Sequence, residues 1–349
     1  MDAMKKTKSF ILIITTAILF YNCESNTEDL TTDPIGEPQE DSVLNRNLSF
    51  EEVYAFEDDL LGGPYIGMTY SSNDNNLFIS SRENAPAGIT TEEEVFKLSL
   101  DSYQLMRKNV SPGGFITKQL TTINDTLVSI GGTEFKFYDT SFEYAGEKSY
   151  GNNFTLSKFG IATHNNDTYI IGGYRVDGPS RENKKIRKLR GNITGNQFEE
   201  FINTSETMIG ASGAIVNERL HVFGGALYED FEATNKIFIY PLNNPQSYEE
   251  FSMTVKADVT FVHKYGEMIL VAGHKGLYGT DKTSFVGLFD TTTNTFEEIK
   301  TNLDSESGTK AIHQMIVKED KIIVLFGHKA SSQLPMSKWS ILSADLLKD

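Results

Sequence analysis

The sequence is almost free of cysteine. Its 349 residues include one, Cys23, so no disulfide can form within the chain. The fold must therefore be held by its apolar core alone. Tryptophan is equally scarce, with Trp339 alone, and phenylalanine and tyrosine supply most of the aromatic content. Together with Thr, Val and Ile these residues favour strands, whereas Ala and Leu are too sparse for a helical solenoid.

Positive charge is also in short supply. Lys and Arg number 32 against 48 Asp and Glu, which gives a formal net charge of -16. A protein that binds nucleic acid needs a basic face to neutralise phosphates. We therefore expect no nucleic-acid partner.

The motifs of several catalytic classes are absent from the sequence. There is no G-x-S-x-G nucleophile elbow, and the doublet Gly172-Gly173 ends an apolar run without the helix that a phosphate-binding loop needs. The six histidines show no HxH or HxxxH spacing and no nearby carboxylate set. We expect no catalytic residue, no metal and no cofactor.

The N-terminus has the pattern of a secretion signal. Lysines at positions 5, 6 and 8 precede a short apolar stretch from Ser9 to Phe20. Because Cys23 follows this stretch, the segment resembles a bacterial lipoprotein signal of the Bacteroidetes type. The resemblance implies cleavage of residues 1–22 and lipidation of Cys23. A plain secretion signal with an unmodified cysteine is the alternative.

An acidic segment follows the signal. Glu24 to Asn45 holds acidic and small polar residues, two prolines and no Lys or Arg. Such a composition cannot bury enough apolar surface to order itself, so we expect 23–46 to be a disordered tether. Without residues 1–22, which hold three lysines and one aspartate, the formal charge becomes -18. The expected location is the cell envelope, lipid-anchored, with the outer membrane favoured and the domain either periplasmic or surface-exposed.

One motif recurs through the remaining residues 47–349. NERLHVFGG, from Asn217 to Gly225, is a polar turn followed by an apolar run that stops at two glycines. Copies of it define six units, whose end points are Ser81, Gly132, Gly173, Gly225, Gly273 and Gly327. A period near fifty residues, with one apolar strand per unit ending in Gly, is typical of a β-propeller.

Each unit is predicted to hold four strands, here called a to d. In unit five these are Asp258–Lys264, Met268–Ala272, Ser284–Phe289 and Thr295–Ile299, and the motif with the glycines is always strand b. Unit six lacks a strand d. Leu48 to Tyr54 resembles a last strand, so we expect it to add to unit six and to close an all-β, six-bladed ring, which would also cover a sheet edge. The second glycine is expected to carry the stricter backbone requirement.

The second half of the units resembles kelch repeats. LFDTTTNTFEEI at 288–299 carries Phe289 in the family's aromatic position and Phe296 where Trp is usual. IFIYPLNNPQSYEEF at 237–251 repeats the pattern. The resemblance implies a kelch-like propeller. It does not extend to the copper chemistry of galactose oxidases, which needs a cysteine that the domain lacks.

The resemblance also implies a ligand-binding mouth of the central channel. In kelch domains that bind peptides, residues after the glycine doublet and at the start of strand a line one mouth. The corresponding residues after the doublet are Arg82, Tyr174, His274 and His328. Those near the start of strand a are Lys158, Asp258, Gln119 and Gln314, with His313 close by. The alternative is that these side chains only satisfy loop hydrogen bonds.

Solvent exposure is a sufficient explanation for the charged runs of the sequence. Glu92 to Glu94 is expected in the loop before strand c of unit one, and the carboxylates of the FEE segments in turns and loops. The basic run Lys184–Arg190 is predicted to be strand c of unit three with one charged face, either a contact for an acidic partner or a solvated strand.

The function favoured by these patterns is that of a membrane-anchored, non-enzymatic module. It is expected to be a monomer that binds a protein or glycan through loops at one mouth of the channel. The alternative is a carbohydrate-active envelope enzyme, because some bacterial kelch propellers resemble sialic acid mutarotases. A third is a structural subunit of an envelope complex.

Overall fold

The computed structural model divides the chain into two compact units, Met1–Asp41 and Ser42–Asp349. The expected signal at 1–22, Cys23 and most of the expected tether at 23–46 lie outside the described residues. Those residues all belong to the second unit and are 44–56, 67–71, 75–82, 92–112, 119–123, 126–131, 134–139, 142–149, 156–165, 167–175, 182–189, 198–275, 283–303, 310–328 and 339–348.

The described residues form an all-β fold. In these ranges no helix is long and apolar enough to span a membrane. The strands, in chain order, are β1 (Asn47–Leu48), β2 (Glu51–Phe56), β3 (Gly67–Ser71), β4 (Asn76–Arg82), β5 (Glu92–Ser99), β6 (Leu105–Pro112), β7 (Gln119–Ile123), β8 (Thr126–Ile130), β9 (Glu134–Tyr138), β10 (Tyr144–Ser149), β11 (Leu156–Ser157), β12 (Gly160–His164), β13 (Asp167–Ile171), β14 (Tyr174–Arg175), β15 (Lys185–Leu189), β16 (Phe198–Asn203), β17 (Ser212–Val216), β18 (Arg219–Phe223), β19 (Thr234–Pro241), β20 (Glu249–Tyr265), β21 (Met268–Lys275), β22 (Thr283–Asp290), β23 (Thr295–Thr301), β24 (Lys310–Lys318), β25 (Lys321–His328) and β26 (Trp339–Asp345).

Strands pair within units, in sequence order and antiparallel. Units one, two and three form the sheets β3-β4-β5-β6, β7-β8-β9-β10 and β12-β13-β15-β16, and β11 pairs with β14 beside the third. Units four and five share one sheet, β17 to β23 followed by β1, because the first part of β20 pairs with β19 and its second part with β21. The strands predicted for unit five lie within its observed strands, β20 to β23.

The turns follow from local side-chain chemistry. Asn217 and Glu218, between β17 and β18, have φ of 50° and 55°. Positive φ at both central residues of a two-residue hairpin matches the right-handed twist of the strands. Between β22 and β23, the Asp290 carboxylate accepts hydrogen bonds from the amides of Thr292 at 2.8 Å and Thr293 at 3.3 Å. The hydroxyl of Thr292 donates to the same oxygen at 2.6 Å, and this bond, together with the amide bonds, holds the pKa of Asp290 below its usual value.

Three acidic segments were wrongly predicted to be loops or turns. Glu92–Glu94 opens β5, where the backbones of Glu93 and Glu94 pair with Arg82 and Ser81 of β4. The FEE segments at 198–200 and 296–298 lie in β16 and β23. In β23, Phe296 is buried while the two glutamates that follow are exposed. Acidic residues on the exposed face of an outer strand are compatible with sheet pairing.

The apolar core lies between neighbouring units. Phe238 and Leu220 of unit four pack in one cluster with Tyr169 of unit three, and Phe223 and Ile237 pack on the other side with Phe289 of unit five. A further cluster joins unit one to unit six and contains Leu77, Phe96 and the fully buried Trp339. Each sheet therefore buries its two faces against two different sheets.

The N-terminal segment is built into this core. β2 pairs antiparallel with β26, so the four-stranded sheet of unit six runs β24-β25-β26-β2. β1 pairs in parallel with β23 of unit five. Leu48 and Phe50 are buried at 2% and 6% exposure in the cluster between units five and six.

The glycine doublet meets two different requirements. In unit three both glycines have positive φ, 58° at Gly172 and 79° at Gly173, and unit four repeats this. In unit five the requirement is steric, because a Cβ on Gly273 would lie 2.2 Å from the carbonyl oxygen of Val259. The expectation that the second position alone is the stricter one is therefore wrong for units three and four.

Truncation of Leu48 tests how much the N-terminal segment stabilises the fold. Leu48→Ala removes a side chain that is fully packed between units five and six, so we expect the free energy of unfolding to fall by about 3 kcal/mol. The neighbouring exposed Ser49→Ala is the matched control and should change it by less than about 0.5 kcal/mol. Urea unfolding of Ser42–Asp349 measures both, and equal effects would contradict the packing role.

Acid should weaken the fold through His221. This residue is 1% exposed, its Nδ1 donates to the carbonyl of Arg219 at 2.9 Å, and burial lowers its pKa to about 4. In the unfolded chain His221 takes up a proton near pH 6.5, whereas in the folded protein it does so only near pH 4. The stabilisation from His221 is therefore complete above pH 6.5 and is lost as pH falls toward 4. The loss is about 3 kcal/mol. Unfolding free energies measured from pH 7 to pH 4 should show this decline, with a smaller slope in His221→Gln; identical slopes would contradict the assignment.

Candidate functional site

The innermost strands of the six units surround a cavity of about 400 Å³. They are β3, β7, β12, β17, β20 and β24, the strand a of each unit, and each packs beside the next. Because strand a is the inner edge of its sheet, residues on both of its faces reach the lining. The lining residues are Met68, Thr69, Tyr70, Gln119, Leu120, Thr121, Ile161, Ala162, Thr163, His164, Asn165, Ser212, Gly213, Ala214, Ile215, Val262, His263, Lys264, Gln314, Met315 and Ile316.

The polar lining residues lie at two levels along these strands. Gln119 is the first residue of β7, and Gln314 lies in the middle of β24. Tyr70, His164 and Lys264 lie close to the turns that connect strand a to strand b. We call these turns the a–b turns and the residues beside them the rim.

A hydrogen-bonded glutamine pair joins distant units within the cavity. Nε2 of Gln314 in unit six donates to Oε1 of Gln119 in unit two at 3.4 Å. Gln119 in turn donates from Nε2 to the carbonyl oxygen of Phe159 in unit three at 3.1 Å. The backbone amide of Met315 donates to Oε1 of Gln314 at 3.1 Å. Both glutamines are 8% exposed, so these bonds satisfy amides that would be costly to bury alone.

Tyr70 and His263 are aromatic neighbours at the rim, from units one and five. Their ring centroids lie 6.3 Å apart. Burial raises the pKa of Tyr70, and the nearby Glu319 adds to the effect. Burial lowers the pKa of His263, whose Nδ1 lies 2.9 Å from the carbonyl oxygen of Lys264. Both rings are therefore uncharged at neutral pH and act through hydrogen bonds and stacking.

A histidine and a carboxylate meet at the rim between units three and four. Nε2 of His164 lies 2.8 Å from Oε1 of Glu218 and 2.9 Å from Nδ2 of Asn165. In the tautomer with a proton on Nε2, the imidazole donates to the carboxylate. In the other tautomer Nε2 accepts from the amide. The tautomer of His164 therefore decides whether Nε2 bonds to Glu218 or to Asn165.

Side chains of successive a–b turns contact each other around the rim. His164 and Glu218 connect units three and four. Between units four and five, Asn217 donates to Glu267. The hydroxyl of Tyr265 donates to Asp320 of unit six at 2.7 Å. Lys318 of unit six donates to Asn75 of unit one. These contacts fix the turns of neighbouring units relative to each other.

The charge of the lining differs from that of the whole chain. The described residues that line the cavity include no Asp or Glu, although the chain carries a net charge of -16. Lys264 is exposed at the rim, and Glu218 and Glu319 lie on turns beside it. A neutral or anionic ligand would therefore meet no carboxylate inside the cavity.

Of the residues predicted for the channel mouth, Gln119 and Gln314 lie in this cavity. Lys158 and Tyr174 lie together in unit three, with Nζ of Lys158 5.8 Å from the tyrosine ring centroid. Lys158 is buried and has a φ of 57°. Neither Lys158 nor Tyr174 belongs to the cavity lining.

His274 of unit five and His313 of unit six are buried, at 2% and 1% exposure. Nε2 of His274 hydrogen-bonds to the carbonyl oxygen of Ile312, and its ring centroid lies 6.1 Å from that of His313. His313 packs against Trp339 at 4.8 Å. Asp258, in β20, is 2% exposed. Arg82 and His328 end β4 and β25, and their side chains lie outside the described part of the structure. The mouth that these residues were predicted to form stays a prediction.

Sequence reasoning missed the rim residues Tyr70, His164, Asn165, His263 and Lys264. The signal available was the polar segment that precedes every strand b, such as NND before Gly173 and YGE before Gly273. That segment was interpreted as hairpin chemistry only. Periodicity identifies a turn but does not show which turn side chains point toward a channel.

The basic run of unit three is neutralised within its own sheet. β15 pairs with β13 and β16, as predicted for strand c. Lys188 bonds to Asp167 at 2.6 Å, Lys184 to Glu182 at 2.8 Å, and Lys185 to Glu200. These ion pairs favour the solvated-strand interpretation over a contact for an acidic partner. In the described part of the chain, no group of three His, Cys, Asp or Glu residues could hold a metal ion.

The glutamine pair predicts a measurable energetic coupling. Gln119→Ala removes the oxygen that accepts from Nε2 of Gln314 and the amide that donates to the Phe159 carbonyl, so we expect the free energy of unfolding to fall by about 1–3 kcal/mol. Gln314→Ala combined with it should cost less than the sum of the two single changes. Thr163→Ala, on the same lining but exposed, is the control. Urea unfolding of the four variants measures the coupling, and strict additivity would show that the bond contributes nothing.

No protein-family model matches the chain, and no curated protein matches it in sequence. Solved structures do match in fold. The structure of YjhT has a TM-score of 0.50 and 12% sequence identity, and the match covers 67% of this chain and 83% of that one. The Pan2 WD40 domain from Neurospora crassa has a TM-score of 0.52 and 10% identity, covering 86% of this chain and 96% of that one. At these identities the similarity shows the fold alone, which is an all-β, propeller-like fold.

Proposed function

We propose that the chain is a lipid-anchored, non-enzymatic binding module whose central cavity receives part of a glycan. The domain is a kelch-like propeller of six blades, one per unit. The observation that carries the proposal is the cavity of about 400 Å³ to which all six innermost strands contribute. Its volume falls within the range of pockets that bind small molecules.

The proposed ring has six blades and is closed by the N-terminal strand. Three contacts support closure between units six and one. β2 completes the sheet of unit six, an apolar cluster joins that sheet to unit one, and Lys318 bonds to Asn75. Closure of this kind covers a sheet edge that would otherwise be open to pairing with other chains.

The chemistry of the lining supports a sugar as the ligand. Amides of Gln119 and Gln314, the hydroxyls of threonine and serine, and the imidazole of His263 supply both donors and acceptors. The Tyr70 ring offers an apolar face beside them. Vicinal sugar hydroxyls need this combination of paired hydrogen-bond groups and a flat apolar surface. A protein loop is the second ligand that such a mouth could receive.

The proposed anchor is a lipid on Cys23. Its support comes from the sequence, namely the lysines, the apolar stretch and the cysteine that follows it. Lipidation would place the domain in the cell envelope, with the acidic residues 23–46 as a tether. The proposed domain is a monomer.

A carbohydrate-active enzyme is the second candidate, favoured by His164 and Glu218. A carboxylate 2.8 Å from an imidazole at the rim of a cavity is an arrangement that can move protons. A reaction that only transfers protons on a sugar would need no metal or cofactor. Under this alternative Glu218→Gln abolishes turnover, whereas under the binding function it leaves affinity nearly unchanged.

A glycan array with the Ser42–Asp349 unit tests the proposed function. We expect a glycan to bind and Tyr70→Ala or His263→Ala to weaken its affinity by about tenfold, or about 1.4 kcal/mol, because each removes a contact inside the cavity. Titration calorimetry with the best glycan measures the change. Pull-down from an envelope extract serves as the parallel assay for a protein ligand.

The matched controls lie outside the cavity. Tyr174→Ala removes an aromatic ring from the mouth predicted by the kelch resemblance. Tyr248→Ala removes one beside the outer strand of unit four. Both should leave affinity unchanged. If Tyr174→Ala, His274→Ala or His328→Ala weakens binding while the cavity variants leave affinity unchanged, the ligand binds at the mouth predicted from the kelch resemblance instead. Chemical conversion of the sugar is monitored by NMR. If conversion occurs and is lost in Glu218→Gln, the function is catalysis and not binding alone.

A further inference from the structure

The end of the sheets that carries the a–b turns also receives the chain from its N-terminal side. The amide of Asn45 donates to the carbonyl oxygen of Leu346 at 2.7 Å, and the amide of Leu346 donates to that of Asp320 at 2.7 Å. Asp320 lies in the a–b turn of unit six and accepts a hydrogen bond from Tyr265 of unit five. Leu44 packs against the apolar cluster beside Tyr265. The chain therefore enters the domain beside the rim of the cavity.

Large apolar side chains are exposed at the same end of their sheets. In an antiparallel sheet of four strands, the a–b turn and the c–d turn lie at one end, and the b–c loop lies at the other. Leu105 and Met106 follow the c–d turn of unit one and are 46% and 58% exposed. Tyr248 precedes strand d of unit four at its c–d turn and is 41% exposed. Three exposed apolar side chains thus share the end that holds the rim.

We propose that this end of the domain is a membrane-facing surface, which contacts lipid through Leu105, Met106 and Tyr248 and opens the cavity toward the bilayer. The inference rests on the proposed function, because it takes Cys23 as the anchor. Aliphatic side chains and tyrosine are the residues that insert at a lipid–water boundary. A ligand presented by the membrane itself then reaches the cavity directly.

The length of the chain before Leu44 is compatible with this arrangement but does not impose it. The 22 residues from Cys23 to Leu44 span at most about 79 Å when fully extended. A strand of seven residues is about 23 Å long. The covalent connection alone therefore allows either end of the domain to face the bilayer. What selects one end is that three of the four large exposed apolar side chains of the described residues lie there, and only Phe231 lies at the other.

Energy transfer to labelled lipid tests the orientation. The chain from residue 23 onward, with Cys23→Ser and an N-terminal hexahistidine, is attached to phosphatidylcholine vesicles through a nickel-chelating lipid. A donor dye is placed on Thr293→Cys, at the exposed c–d turn of unit five, or on Asp230→Cys, in the exposed b–c loop of unit four. We expect higher transfer to an acceptor lipid from position 293 than from position 230. Equal or reversed efficiencies overturn the proposal.

A pair of surface variants separates lipid contact from simple attachment. Leu105→Ser with Met106→Ser should lower the transfer from position 293, because the apolar contact is lost. Phe231→Ser, in the b–c loop and 38% exposed, is the matched control and should leave it unchanged. Unaltered urea unfolding confirms that each variant is folded. No effect of the double variant, or a dimer in which a second copy covers Leu105 and Met106, would overturn the proposal.

The histidine tag makes the outcome independent of natural lipidation. A separate experiment tests whether Cys23 is the native anchor. Cells that produce the Cys23→Ser variant should lose the protein from their membrane fraction. If Cys23→Ser stays in the membrane fraction while position 293 still faces the vesicle, lipidation of Cys23 is ruled out and the membrane-facing surface is supported. If Cys23→Ser leaves the membrane fraction but position 293 does not face the vesicle, the membrane-facing surface is ruled out and the anchor is supported.

Discussion

The structure depends on the packing of each sheet against both of its neighbours. A four-stranded sheet has two apolar faces, and neither can be covered by the unit that contains it. Phe238 and Phe223 of unit four show this, because they are buried against unit three and unit five respectively. Unit one and unit six cover each other in the same way through Leu77 and Trp339. The cooperative unit is therefore the set of sheets, since no single repeat could bury its core alone.

This constraint explains which parts of the fold could be predicted. The apolar run of strand b recurs with glycines at its end because every unit meets the same packing problem, so β18 and β21 were visible in the sequence. Glu92–Glu94 was missed because acidic residues are uncommon in strands, so a run of three indicates a loop, although the backbone of β5 pairs with both β4 and β6. Position within the sheet decides that outcome, and a single sequence does not reveal the position.

The cavity was less predictable than the fold because it is made by contacts distant in sequence. Gln119 and Gln314 are 195 residues apart and meet only because the innermost strand of unit one packs against those of both unit six and unit two. Tyr70 and His263 likewise come from units one and five. Each of these residues has an ordinary local role, at a strand start for Gln119, within a strand for Gln314 and beside a polar turn for Tyr70 and His263. Their convergence follows from the packing of the innermost strands beside one another, which periodicity shows only as a repeat.

Burial makes the rim a site of hydrogen bonding more than of charge. It raises the pKa of Tyr70 and lowers that of His263, so both are neutral near pH 7 and each retains a polar atom for a ligand. A charged side chain inside the cavity would pay a desolvation cost that a neutral amide or hydroxyl avoids. The lining described by the structure follows this rule, with charges confined to Lys264 and the turn carboxylates at its edge. Discrimination between ligands would then come from the positions of donors and acceptors, because a ligand hydroxyl that meets no partner in the cavity loses its hydrogen bonds to water without replacing them.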